Sequence, residues 1–407
     1  MELLRSLPMP RWAAIAGGLG AGALAALLVN GLQPSKILDK TLPMQAISEL
    51  DGRLSQVWLQ YSAAAQAVVG PAQLEFVRAL PATTAQVWTV ARGEEAKQLR
   101  NFLSHGGVTL NAQSQVIEVP GPLTPWTRDR ALALRRGGQL ALLVPPEPGE
   151  SWPERQGDWH AVQWLASGRQ GTKSLELPID FDAGDLILSD EATLFDANLL
   201  AKNRGRGFAN LAELATAVAG WTGRPALALG HDEGDVPRYH MAMYVMPLGH
   251  KRVLVGDPQL GRALTGPRWQ PGDRSPDDDS LLLADDSTVT QARFDRAAKD
   301  LQAQGWAVTR APVVAFDDRT YLSYTNVVAE IGAQGPRVYL PHYASATDAA
   351  DSVLGRLDAA GRAPWQRAGF AVVPIHVAGV WRHHGTIGCL VNVLWRGSLP
   401  ATPAVSR

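Results

Sequence analysis

Short apolar runs and amphipathic stretches take turns along most of this chain. The apolar runs predict strands over residues 86–91, 108–110, 116–119, 224–229, 243–248, 252–255, 306–312, 338–341 and 372–375. The amphipathic stretches predict helices over residues 93–103, 211–221, 290–304 and 347–359. Because the two kinds recur at a spacing of roughly 60–70 residues, the pattern predicts an α/β protein built of repeated supersecondary units.

The segment before this pattern, residues 34–82, has a different periodicity. Leu50, Leu54, Val57, Trp58 and Tyr61 recur at helical spacing, which predicts an amphipathic helical lead-in. A stretch punctuated by proline follows and is typical of a linker. We therefore expect the main domain to span residues 83–398, followed by a tail over residues 399–407.

The N-terminus carries Arg5 and Arg11 and then an uncharged run over residues 12–29. This pattern is typical of a signal peptide or a signal anchor over residues 1–33, and the choice between a cleaved and a retained segment stays open. Arginines on the N-terminal side favour a domain that is exported or membrane-anchored outside the cytoplasm. The alternative is a tail rich in Ala and Gly with no targeting role.

Composition narrows the class of protein. The chain has 407 residues, of which 46% are hydrophobic and 19% charged, and a formal net charge of -1. These values are globular, and the absence of a basic stripe argues against nucleic acid as a partner. A single cysteine, Cys389, excludes an intramolecular disulfide and a multi-cysteine metal site. Nothing in the sequence indicates the oligomeric state.

An aspartate-rich stretch over residues 271–287 interrupts the α/β pattern. Calcium binding there is an alternative, but the EF-hand spacing with its closing glutamate is absent. We expect a solvated surface loop.

Four places combine polar side chains with a junction between a loop and a regular element, where functional groups are commonly presented. For each group, the alternative is an ordinary structural role: a surface ion pair, a turn or cap residue, a core histidine or a core thiol. In chain order they are Trp126-Thr127-Arg128-Asp129, Asp182-Ala183-Gly184-Asp185, Tyr239-His240-Met241-Ala242 and the stretch around Cys389.

Taken in order over residues 86–394, these motifs resemble the guanidino-group-modifying (pentein) superfamily, and most of all the agmatine deiminases and bacterial peptidyl-arginine deiminases. The segments over residues 321–328 and 338–341 resemble further stretches of agmatine deiminases. The resemblance implies a five-bladed α/β propeller of ββαβ units. It also implies a deiminase that needs no cofactor or metal, acting on arginine, peptidyl-arginine or an agmatine-like compound.

The resemblance assigns roles by position. Cys389 would be the nucleophile, which forms a covalent thiouronium intermediate, and His240 the acid and base. A carboxylate binds a guanidinium through paired hydrogen bonds, which is the role implied for Asp129. The substrate-binding positions would be Trp126, Arg128, Asp129 and Asp182.

The chain departs from the family pattern at several positions. Ala242 stands where deiminases carry an aspartate two residues after the histidine, although dimethylarginine hydrolases resemble this chain in lacking it. Thr124, Asp182 and Gly388 replace an aspartate, a glutamate and a histidine of the family pattern. Candidate substitutes for the lost acid are Asp232, Glu233 and Asp235. The alternatives are therefore a weakened homologue that acts as a binding protein, and an unrelated α/β protein with a core cysteine.

Overall fold

The computed structural model describes residues 44–136, 138–148, 153–168, 172–276, 279–345 and 347–397. Its strands are β1 (Gln45–Ala46), β2 (Leu54–Tyr61), β3 (Ala85–Ala91), β4 (Gln115–Val119), β5 (Leu132–Arg136), β6 (Gln139–Val144), β7 (Thr172–Glu176), β8 (Ile187–Leu188), β9 (Thr193–Asp196), β10 (Ala226–Leu229), β11 (Val245–Gly249), β12 (Arg252–Asp257), β13 (Ala307–Pro312), β14 (Val314–Ala315), β15 (Tyr321–Leu322), β16 (Val328–Gly332), β17 (Gly335–His342), β18 (Ala371–His376) and β19 (Asn392–Arg396).

The helices lie between these strands and confirm the α/β class. They are α1 (Gln66–Ala79), α2 (Glu94–His105), α3 (Pro153–Ser167), α4 (Ala197–Lys202), α5 (Leu211–Thr222), α6 (Pro258–Thr265), α7 (Thr288–Ala303), α8 (Val353–Arg367) and α9 (Ile387–Leu390). Side-chain caps fix several starts: Asn210 accepts a hydrogen bond from the Glu213 amide at α5, and Ser352 from the Gly355 amide at α8.

One topology recurs in the sheets of three or four strands. Strands β5 and β6 pair antiparallel, and β7 returns after α3 to lie parallel to β6. The same ββαβ order holds for β8, β9 and β10, for β11, β12 and β13, and for β16, β17 and β18. Strand β1 adds to the edge of β5, and β14 pairs with β15 alone. The repeated supersecondary unit predicted from the sequence is confirmed.

The fifth sheet joins the two ends of the described chain. Strand β19 pairs antiparallel with β2, and β3 and β4 extend the sheet in parallel. The helix predicted around Leu50–Tyr61 is wrong, because Leu54–Tyr61 is a strand that is buried along its whole length. A strand covered on both faces has no period-2 alternation, so its apolar residues mimicked a helical stripe. The boundary predicted at residue 83 lies inside this sheet.

The described residues, from Met44 to Gly397, belong to one compact unit. The predicted signal segment, its apolar run and the tail over residues 399–407 lie outside the described residues. Among the residues that the structure describes, no helix is long and apolar enough to cross a membrane.

Candidate active site

Equivalent points of the five ββαβ sheets supply the site residues. Asp129 precedes β5, Asp182 precedes β8, His240 precedes β11, Asn326 precedes β16 and Cys389 precedes β19. Each therefore lies just before the first strand of a ββαβ unit. The repeated topology presents five polar side chains from five positions far apart in the sequence.

Four hydrogen bonds and one ion pair connect these five segments in a closed ring. The Arg128 amide donates to the Cys389 carbonyl at 3.1 Å, and the Ala183 amide donates to the Asp129 carbonyl at 2.9 Å. The Thr325 hydroxyl donates to the Ala242 carbonyl at 3.0 Å. The ring is completed by Asp182 with His240, at 3.4 Å, and by the Thr386 hydroxyl, which donates to the Asn326 carbonyl at 2.6 Å. The structure thus brings Asp129, Asp182, His240 and Cys389 into one buried cluster.

Cys389 lies in the short helix α9 with its side chain 3% exposed. The Asn326 amide nitrogen approaches the Cys389 sulfur and the Met243 sulfur at 2.8 Å each. Gly388 keeps this approach open, because a methyl group there would lie 1.9 Å from the Asn326 amide oxygen. A histidine, which agmatine deiminases often carry at this position, would therefore not fit here.

His240 is buried beside Cys389 and Asp182. Burial by itself would lower the pKa of His240, but hydrogen bonds to Asp182 and Cys389 and the charge of Asp129 raise this pKa well above its ordinary value. Gly184 gives the imidazole its room, since an added methyl would lie 2.9 Å from the ring. The groups around the imidazole therefore favour its protonated form.

Tyr239 covers the imidazole from the other side. Its ring stacks on His240 with centroids 4.0 Å apart and planes 12° apart, and its backbone φ is 72°, in the left-handed region. Non-glycine residues adopt that region at a cost and mostly where a site requires it. Burial, then the charges of Asp129, Cys389 and Asp182, raises the pKa of Tyr239 well above its ordinary value.

Asp129 is 2% exposed and already carries an internal partner. The Arg155 guanidinium, from the first turn of α3, lies 2.7 Å from the Asp129 carboxylate. Arg155 also lies 3.5 Å from Asp158 and 4.0 Å from Asp182. A guanidinium of the chain itself therefore sits on the carboxylate predicted to bind a substrate guanidinium.

Asp182 stands among several cations. Lys202 lies 3.1 Å away, His240 3.4 Å and Arg130 3.6 Å. Burial by itself would raise the pKa of Asp182, but the hydrogen bond to His240 and the charges of Lys202 and Arg130 hold it well below its ordinary value. Asp182 is thus an ionised carboxylate that faces the imidazole.

Trp126 and Arg128 belong to the same segment as Asp129, but their side chains pack against or pair with other residues of the protein. The Trp126 ring is half-buried against Gly385, where an added methyl would lie 2.5 Å away. The Arg128 side chain forms a buried ion pair with Glu49. Arg128 thus contributes its backbone amide to the Cys389 segment while its guanidinium holds another carboxylate.

The three carboxylates considered as substitutes for the acid missing at Ala242 do not lie in the cluster. Asp235 accepts hydrogen bonds from the amides of His231 and Asp232 in an exposed turn, and Glu233 pairs with Arg204 at the surface. Ala242 itself is buried, and its carbonyl accepts from Thr325. Asp185, 4.0 Å from His240, is the further carboxylate found beside the imidazole.

Three side chains of this cluster have the donor atoms of a metal site, but the charges around them oppose a metal ion. Within the described residues, Asp129, Asp182 and His240 are the one group that places three ligand atoms within 4.8 Å of one another. Arg155 and Lys202 already neutralise the two carboxylates, so a further cation would meet positive charge. The described part of the aspartate-rich loop places its carboxylates on partners instead, such as Asp273 on Arg382 and Asp285 on Thr290.

Several residues of the site have no role in the prediction from sequence. Arg155 carries no motif, and Lys202, Tyr239 and Asn326 stand in segments of the resemblance that assign them no role. Asp158 is the most informative omission, since its buried carboxylate accepts hydrogen bonds from the Thr124 amide and hydroxyl. Its signal would have been the threonine at a position where the family has an acid.

Comparison with known proteins gives a likeness in fold. No protein-family model and no curated protein matches the sequence. An agmatine deiminase structure from C. jejuni superposes with a TM-score of 0.59 at 12% identity, over 87% of this chain and 97% of that one. The agmatine deiminase of Enterococcus faecalis gives 0.58 at 14%, over 86% and 95%. A protein from Porphyromonas gingivalis, provisionally identified as an arginine deiminase, gives 0.58 at 15%, over 86% and 98%.

These similarities span most of both chains, yet the identities are low. They establish the fold and leave the activity to be argued from the site. The chain has the fold of the agmatine deiminases, the pentein fold that the order of its motifs predicts.

Proposed function

We propose that this protein is a cysteine-dependent hydrolase of guanidino compounds. The observation that carries the proposal is the meeting of His240, Asp182 and Cys389 inside the closed ring of five segments, where Nε2 of His240 lies 3.4 Å from Oδ2 of Asp182. The thiolate is the nucleophilic form of a cysteine, and Cys389 would attack in that form. We also propose that the five sheets are the blades of a five-bladed propeller, since each holds a ββαβ unit with its site residue just before the first strand of that unit.

The proposed reaction has two steps. The Cys389 sulfur attacks the central carbon of the guanidinium, His240 gives its proton to one nitrogen, and ammonia leaves. The covalent thiouronium intermediate then reacts with water, from which His240 takes a proton. The carbon–sulfur bond breaks, the sulfur leaves as the thiolate, and the second proton of the water passes to solvent, which gives a urea as the product. Asp129 would bind the guanidinium N–H groups and Asp182 would hold the imidazole.

The substrate class follows from the carboxylates. Asp129, a buried acid in the same cluster as the Cys389 thiol, suits a planar cation such as the side chain of arginine, a peptidyl-arginine or agmatine. The comparison structures include an agmatine deiminase from C. jejuni with substrate bound, which supports a small guanidino ligand for this fold.

The experiment is an assay of ammonia and ureido product on agmatine, free arginine and an arginyl peptide. We expect turnover by the wild type and none by Cys389→Ser. The His240→Gln variant should lose roughly 10²–10⁴-fold in rate. Because its second step is slowed, it should accumulate an adduct with the mass of substrate less ammonia on the peptide that contains Cys389. Equal rates for wild type and Cys389→Ser would contradict the proposal.

A second candidate is a weakened homologue that binds a guanidino ligand or a protein. Two observations favour it: Ala242 removes one expected acid, and Arg155 occupies Asp129. Calorimetry separates the two candidates. Saturable binding of agmatine with no turnover on any of the three substrates would support the binding protein over the enzyme.

A further inference from the structure

The Arg155 guanidinium has the chemistry of the ligand that the proposed function assigns to the same site. Its Nη2 atom lies 2.7 Å from Oδ2 of Asp129 and 4.0 Å from Oδ1 of Asp182. The Arg155 side chain is 10% exposed and that of Asp129 is 3% exposed. The contact is therefore a buried ion pair between an internal guanidinium and the candidate substrate carboxylate.

A second guanidinium cannot share Asp129 with Arg155 at this depth. Two cations on one buried carboxylate would repel each other where water screens poorly, and one of them would lose its paired hydrogen bonds. Lys202 and Arg130 already lie beside Asp182, so the neighbouring acid offers no unneutralised alternative. An incoming guanidinium must therefore displace Arg155.

Asp158 gives Arg155 a second place to go. It lies one turn further along α3, with its Oδ2 atom 3.5 Å from Nη1 of Arg155. Its carboxylate is fixed by the Gln60 amide nitrogen at 2.7 Å and by the Thr124 amide and hydroxyl at 2.9 and 2.7 Å. Arg155 can thus leave Asp129 and remain paired with a buried carboxylate, which makes displacement possible without leaving a lone buried charge.

We propose that Arg155 is an internal competitor that occupies the guanidinium position on Asp129, and that guanidino ligands bind by displacing it toward Asp158. This inference rests on the assignment of Asp129 as the ligand carboxylate in the proposed function. It makes Arg155 a specificity-determining residue. Ligands that offer only a guanidinium compete poorly, and ligands with further contacts outside Asp129 overcome the competition.

The experiment measures affinity without turnover. In a Cys389→Ala background, the change Arg155→Gln removes the competing cation and keeps a polar side chain. Titration calorimetry with methylguanidine and with agmatine should show binding about ten- to hundredfold tighter than in Cys389→Ala alone, because one charged contact no longer has to be broken. The gain should be larger for methylguanidine, which has the fewest other contacts.

The matched control is Arg310→Gln in the same background. Arg310 lies on β13, away from the five site segments, and also faces two carboxylates, Asp257 at 3.4 Å and Asp295 at 3.0 Å. We expect it to leave both affinities unchanged. Unchanged or weaker binding in Arg155→Gln would overturn the inference, as would an equal gain in Arg310→Gln.

A second variant covers the case in which Arg155→Gln does not fold. Arg155→Lys keeps a cation in place but cannot form paired hydrogen bonds with a carboxylate, so we expect a smaller gain in affinity in the same direction. No gain overturns the inference. Tighter binding with no turnover by the wild type supports the inference and contradicts the enzyme proposal. Turnover by the wild type with no gain in affinity supports the enzyme proposal and overturns the inference.

Discussion

The Nε2 atom of His240 lies 3.4 Å from Oδ2 of Asp182, and the two side chains shift each other's pKa in opposite directions. The pKa of the imidazole is raised, while that of the carboxyl is lowered. Both charged forms are thereby stabilised in the folded protein. Free energy of unfolding therefore depends on pH through this pair.

The first prediction concerns the pH dependence of stability in His240→Gln. The raised pKa of His240 stabilises the fold fully below about pH 6.5, and the contribution is lost as pH rises through the folded value. The lowered pKa of Asp182 stabilises above about pH 3.9 and is lost as pH falls through its folded value. In urea unfolding, His240→Gln should therefore lower the free energy of unfolding by roughly 1–3 kcal/mol more at about pH 5.5 than at about pH 9.5.

The control for this prediction is His105→Gln. His105 is exposed at the end of α2, where Nδ1 contacts the Asn101 carbonyl at 2.7 Å. We expect its substitution to change the free energy of unfolding equally at both pH values. A loss in His240→Gln that is the same at both pH values would contradict the pairing with Asp182.

The second prediction concerns Gly184, which lies against the imidazole. In Gly184→Ala the new methyl would stand 2.9–3.0 Å from three atoms of His240, so the ring must shift. We expect proposed activity to fall roughly 10²-fold, since a small misplacement of an acid–base group is costly. Loss of stability should stay within about 1–3 kcal/mol. Turnover and urea unfolding of the same preparation check both.

Gly220→Ala is the matched control for this substitution. Gly220 is exposed within α5, and an added methyl meets nothing within 4 Å. Alanine should stabilise the helix there by up to about 1 kcal/mol and leave turnover unchanged. If Gly184→Ala behaves like Gly220→Ala in turnover, the tight fit of the imidazole has no functional role.

The third prediction concerns the buried carboxyl of Asp196, at the start of α4. Its Oδ2 atom accepts a hydrogen bond from the Tyr244 hydroxyl at 2.5 Å, and its Oδ1 atom accepts from the Asn198 amide at 2.9 Å. Burial, opposed by the Tyr244 hydrogen bond, raises the pKa of Asp196 to about 7. The folded protein therefore holds this proton more tightly than the unfolded chain.

Stability should consequently fall as pH rises from about 4 to about 7, by roughly 3–4 kcal/mol for a shift of this size. Asp196→Asn keeps an acceptor for the helix cap but cannot ionise. It should be more stable than the wild type at about pH 8.5 and no more stable at about pH 4. Asp257 caps α6 nearer the surface, and Asp257→Asn should show no such gain in stability. Urea midpoints at both pH values decide.

The order of motifs was enough to predict the fold, and to predict that Asp129, Asp182, His240 and Cys389 meet. Each motif lies before the first strand of a repeated unit, so local pattern and topology agree. The strand over Leu54–Tyr61 was misread because a strand buried on both faces has no alternation.

The residues that other elements contribute to the site could not be predicted from the sequence. Arg155 lies near the start of a helix, where a charged side chain usually faces solvent. Only the packing of α3 shows that it is buried on Asp129. The fate of the acid missing at residue 124 was equally hidden, because Asp158 is contributed by the same helix and has no motif of its own.

The last prediction tests whether Asp158 stands in for that missing acid. Thr124→Asp restores the aspartate of the family pattern but sets its carboxylate against Asp158, whose oxygens lie 2.7 and 2.9 Å from the Thr124 hydroxyl and amide. Two carboxylates at this separation repel each other strongly when buried. We expect Thr124→Asp to reduce the free energy of unfolding at neutral pH by roughly 2–4 kcal/mol.

A second substitution should relieve most of that loss. Asp158→Asn alone removes a charge that Arg155 and Thr124 use, and we expect it to destabilise. In the double variant, the side-chain amide introduced by Asp158→Asn can donate to the new carboxylate at position 124, and Arg155 regains one acid nearby. The coupling energy from urea unfolding of the four proteins should therefore be favourable by about 1–3 kcal/mol. If the losses in free energy of unfolding of the two single variants simply add in the double variant, Asp158 does not replace the acid that is missing at position 124.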